Sequence, residues 1–105
     1  MTSFNDREAA FEAKFAHDQE LRFRLDARRD KLLGYWAAER LGLDAEETEA
    51  YVKQVILSDL EEAGANDVVR KLVGDLAEIG IDEAAIRAAL AEQEAIARQQ
   101  LMEQL

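Results

Sequence analysis

The sequence predicts an all-α protein, a four-helix bundle with a long or broken first helix and a mobile N-terminal segment. Three observations predict it. Apolar residues recur at helical spacing almost throughout, and alternating strand patterns are absent. None of the 105 residues is proline, so nothing forces a break inside a long helix. The composition is 49% hydrophobic and 34% charged, which supports a modest single core and argues against disorder throughout.

The first helix is expected to run from about Asn5 to Leu41, but its apolar stripe does not stay in line. Phe4, Phe11 and Phe15 share a face, and extending that face reaches Asp18 and Arg22, both polar. A new stripe begins at Leu21 and Leu25 and continues through Leu32 and Trp36, flanked by Leu33. At about 100° per residue, Leu25 is turned roughly 80° from Phe15. Two surfaces are therefore expected. Residues 19–105 form the bundle domain, with Trp36 as a core anchor, and residues 1–18 form a separate segment with no evident home on it. The competing expectation is that the phenylalanines pack on the bundle in the free protein.

The second helix begins at Asp44, an N-cap with Glu47 three residues on, a pair that satisfies orphan amides. Val52, Val55, Ile56, Leu60 and Ala63 form its apolar face, and Gly64 is expected to end it. The third starts near Asn66, shows Val69, Leu72, Val73, Leu76 and Ile79, and stops at Gly80. Asp82 caps the fourth, which carries Ile86, Ala89, Leu90, Ile96, Ala97 and Leu101. Connections of roughly two to four residues make these helices close neighbours.

Charge is distributed unevenly. The formal net charge is −10, all of it from residues 44–105, because residues 1–43 hold eight bases and eight acids. The acidic balance argues against nucleic-acid binding, which needs clustered positive charge. No apolar run approaches the ~18 residues of a membrane span, and the acidic first twenty residues do not resemble a signal peptide, so a cytoplasmic protein is expected. Five positive residues crowd positions 22–31, and the simplest reading is internal docking against acidic helices.

Catalytic chemistry is not legible. With no cysteine and one histidine, thiol chemistry and cysteine-ligated zinc are excluded. The glycines fit no phosphate-loop fingerprint. His17 and Glu20 have no third ligand, so no metal site is nominated. The paired acids Glu46–Glu47 and Glu61–Glu62 read as solvated faces. A second function class is a small adenine-nucleotide-binding regulatory module. In it, Tyr35 and Trp36, with Tyr51, stack on the base, and Arg28, Arg29 and Lys31 meet the phosphates.

The stretch FNDREAAFEAKFAHDQELRFRLDARRDKLLGYWAAERLGL, Phe4 to Leu43, resembles the start of the zeta subunit of alpha-proteobacterial F-type ATP synthases. The specific words are DRE, FEAKFAHD, ELRFR, ARR, KLLG and WAAE. The later YVKQVILSDLEEAGANDVVRKL resembles the family more loosely. The resemblance implies a small four-helix inhibitor of ATP hydrolysis, with no required cofactor. It implies that the N-terminal segment enters the interface between the alpha and beta subunits of the catalytic head and stops the rotor, which includes gamma, in the hydrolytic direction. It places the protein peripheral to the inner membrane through the ATP synthase, without insertion of its own.

The inhibitory positions so implied lie between Phe4 and His17. Phe4, Phe11 and Phe15 supply a face to bury, each worth roughly 2 kcal/mol. Ordering a free segment costs on the order of 2–5 kcal/mol. Asp6, Arg7, Glu8, Glu12, Lys14 and His17 are therefore expected to add polar specificity, and the bundle to add contact area.

Overall fold

The computed structural model describes residues 4–59 and 65–104, with the side chains of Phe4, Asn5, Arg7 and Ala16 outside the description. The described residues are mostly helical, with no strand among them. They form α1 (Phe4–His17), α2 (Gln19–Leu41), α3 (Ala45–Ser58), α4 (Asn66–Leu76), a 3-10 turn (Ala77–Ile79) and α5 (Glu83–Glu103). Five α-helices thus stand where four were expected, because the first is broken in two. The break lies at Asp18. Its backbone is extended (φ −117°, ψ 99°), and its carboxylate accepts from the Leu21 amide at 3.0 Å. A capped amide is one that the preceding turn no longer holds, so a new helix starts there.

The other boundaries follow local chemistry. Asp44 and Glu47 form both halves of a capping box, at 2.8 and 3.0 Å. Asp82 accepts from the Ala85 amide at 2.9 Å. Gly42 takes the left-handed conformation (φ 72°) that ends α2, and Leu43 N–H returns to the Ala38 carbonyl at 3.1 Å. Helix α3 stops sooner than its apolar pattern suggests, at Ser58 with Asp59 as C-cap. Leu60, Ala63 and Gly64, expected on that helix and its end, lie outside the described residues.

Helix α2 is the spine, and α3 and α5 pack along it. The molecule is elongated, 50 × 27 × 26 Å, and its buried side chains divide into two clusters. The larger joins Leu33, Ala37 and Ala38 of α2 to Val55 of α3, Leu72 and Leu76 of α4, and Ile86 of α5. Trp36 is half-buried against it. Helices α2 and α3 meet closely at Gly34, where an added Cβ would stand 3.1 Å from Val52 Cα.

The smaller cluster lies where the first half of α2 meets the last turns of α5. Leu21, Leu25, Ala97, Leu101 and Met102 surround Phe11, which has no exposed area. The expectation that residues 1–18 have no home on the bundle is corrected here. Helix α5 is long enough to present Ala97, Leu101 and Met102 to the opening of α2, and α1 covers the apolar strip that results.

Candidate functional site

The site is α1 and the seat it occupies. Phe11 is the anchor. Phe15, one turn on, stacks against it with ring centroids 5.9 Å apart and is half-buried. Arg98 of α5 closes the seat from above, its guanidinium 5.8 Å from the Phe11 ring and 5.2 Å from the Phe15 ring. Arg22 of α2 stands 5.5 Å from the Phe15 ring. Arg98 also forms an ion pair with Glu12, which joins α1 to α5. Beside this pair lies an open groove of about 320 Å³, lined among others by Glu8 of α1 and by Glu94, Arg98 and Met102 of α5.

The structure therefore brings Glu8, Phe11, Glu12 and Phe15 together on the seat. Asp6, Lys14 and His17 are exposed. The side chains of Phe4 and Arg7 lie outside the described residues. Sequence reasoning missed Arg98, whose one visible signal is its position as a base in a mostly acidic C-terminal helix.

The residues considered for a nucleotide do not converge. Arg29 is buried with its donors committed: Nε to Asp30 at 3.0 Å, Nη2 to Asp59 at 3.1 Å, and Nη1 to Glu94 at 3.2 Å and Asp26 at 3.4 Å. Arg29 alone of the basic stretch shows the internal docking expected of it, on Asp59 after α3 and Glu94 of α5; among the described residues Arg24, Arg28 and Lys31 form no ion pair. Tyr35 donates to Glu49 at 2.8 Å, and Trp36 lies under the Arg40 guanidinium at 4.2 Å. Tyr51 is buried and donates to Asp75 at 2.8 Å. Arg28 and Lys31 border a groove floored by other side chains, Phe23 among them.

Asp30 was also not foreseen. Its side chain is 1% exposed, and Oδ2 is buried without a hydrogen-bond partner. Burial, then hydrogen bonding with the Asp59 carboxyl, pushes Asp30 up to about 8 against the pull of Arg29. Burial also raises Asp26, again opposed by Arg29. No group of three or more His, Cys, Asp or Glu among the described residues is arranged to hold a metal ion. No helix among them is long and apolar enough to cross a membrane.

No curated protein sequence matches the chain. It is similar to a protein solved by solution NMR, 45% identical with a TM-score of 0.72, over 81% of this chain and 99% of that one. The family model described as ATPase inhibitor subunit zeta matches residues 1–100. A match over that much of the chain shows its family: it belongs to the ATPase inhibitor zeta subunits, regulatory proteins of ATP synthase rather than enzymes.

Proposed function

We propose that the protein inhibits ATP hydrolysis by carrying α1 into the alpha/beta interface of the catalytic head, where it obstructs rotation of gamma in the hydrolytic direction. Residues 1–18 are the inhibitory segment and residues 19–105 the bundle that delivers it, on the cytoplasmic side of the inner membrane. The observation that carries this reading is the construction of α1. It is a helix in its own right, cut from α2 by the Asp18 cap, and it is anchored through one buried ring, one half-buried ring and one exposed ion pair.

The magnitudes suit a detachable element. Burying Phe11 contributes about 2 kcal/mol and half of Phe15 about 1. A partly exposed ion pair such as Glu12–Arg98 adds at most about 1 kcal/mol. A gross docking energy of roughly 4 kcal/mol, opposed by the cost of ordering the segment, is small enough for a better site to draw α1 away by population shift. The same two rings then serve twice, at rest against Leu21, Leu25 and Leu101 and at work against the partner.

Deleting residues 1–18 tests the division of labour. The remainder is expected to keep its helical circular dichroism, because the larger core does not involve α1, and to lose inhibition of ATP hydrolysis. A truncated chain that inhibits as strongly as the full one removes α1 from the mechanism.

A further inference from the structure

Arg24, Arg28 and Lys31 stand at i, i+4 and i+7 on α2 and share one face of it. They rim an open groove of about 300 Å³ whose floor includes Phe23, Ile56 and Leu101. Phe23 is 59% exposed, a large ring left in water. Among the described residues Arg24 and Lys31 meet no carboxylate, and the Arg28 guanidinium reaches only the neutral Gln104 amide oxygen, at 3.0 and 3.2 Å. The chain has 23 acidic residues against 13 basic. Among the described residues these three neighbouring cations have no carboxylate partner, and their mutual repulsion gains nothing there. An apolar floor with a cationic rim is complementary to an amphipathic helix bearing carboxylates.

We propose that this groove docks a carboxylate-bearing amphipathic helix on the catalytic head of the ATPase. The inference rests on the inhibitory reading above and adds the surface by which the bundle is held. Charge selects this occupant over a second copy of the chain, since two bodies of net charge −10 repel at long range. Docking here raises the effective concentration of α1 at its own target, so the groove governs the concentration at which the protein acts and α1 governs the inhibition reached.

The test compares the full chain with its R24E/R28E/K31E variant, and with the milder R24Q/K31Q, against purified catalytic head. Binding is read by co-migration and hydrolysis by phosphate release, at about 50 and about 200 mM salt. At low salt the charge-reversed variant is expected to need about tenfold more protein for half-inhibition, to lose the salt dependence that the unaltered chain shows, and still to inhibit fully at saturation. R24Q/K31Q shifts in the same direction by less. Equal half-inhibiting concentrations overturn the groove. So does a fall in the melting temperature of R24Q/K31Q, which would assign the cations to the monomer's own stability. Saturable perturbation of the Phe23 and Lys31 amide signals by ATP, or a dimer abolished by the charge reversal, names another occupant and also overturns it. If the unaltered chain binds the head through these cations without inhibiting hydrolysis, the inhibitory reading fails and the groove stands; if it neither binds nor inhibits, both fall.

Discussion

Asp30 is the residue at which folding has a visible electrostatic cost. Its Oδ1 accepts from Arg29, but its buried Oδ2 has no donor. A proton held between Asp30 and Asp59 turns two mutually repelling acceptors into a donor and an acceptor. The groups around it are Asp26 and Arg29 of α2, Asp59 at the end of α3 and, through Arg29, Glu94 of α5. The sign follows from proton counts. An unfolded Asp30 titrates near 3.8 and the folded one near 8, so the folded state binds more protons between those values, and stability falls as pH rises through that window. Asp26, also raised, acts in the same direction. The melting temperature is expected to fall between about pH 5 and about pH 8.5. Asp30→Asn, which stays neutral, should flatten that slope and raise the melting temperature at the alkaline end. An unchanged slope in the variant would move the titration elsewhere.

At the scale of elements, α2 and α3 approach each other closely at Gly34. A Cβ at Gly34 meets both Cα and Cγ2 of Val52 at 3.1 Å, and backbone cannot move aside as a side-chain tip can. Gly34→Ala is expected to destabilise by about 1–3 kcal/mol, despite the better helix propensity of alanine. Urea unfolding measures this, and a stabilised variant would show that the two helices separate freely. The boundaries set by local chemistry were legible in the sequence: the Asp44–Glu47 box, the Asp82 cap and the stop at Gly80 each depend on neighbours within a few residues. The break at Asp18 was half legible. The turning of the apolar stripe pointed to residues 16–20, but whether an aspartate caps or merely sits in a helix depends on what its flanking turns can bury. The end of α3 was overextended because apolar spacing continued past the point where Asp59 turns toward Arg29. Arg98 over the Phe11 ring is 87 positions away in sequence, and the four carboxylates around Arg29 come from three helical elements. No local pattern reports such partners.

The whole molecule is two apolar clusters strung along α2, and α1 belongs to the smaller one. The smaller cluster explains the two stripes. Leu21 and Leu25 face the α5 end, and Phe11 and Phe15 fold back onto them from a separate helix, so the two stripes meet in one cluster. The acidic half of the sequence is used partly inside, where Asp59 and Glu94 hold Arg29, and the bases of α2 without an ion pair among the described residues gather at one groove. A chain built this way keeps Phe11 covered and Phe15 half-covered at rest, and the proposed inhibition requires that both leave this seat.

The most direct test is to hold α1 in its seat. The chain has no cysteine, so Glu12→Cys and Arg98→Cys place a unique pair across the α1–α5 junction that a dithiol-reactive linker can tie reversibly. The tied protein is predicted to leave ATP hydrolysis by the catalytic head unaffected, and reduction of the linker to restore inhibition in the same sample. Full inhibition by the tied protein would contradict the account, because it would mean that the helix acts without leaving the bundle.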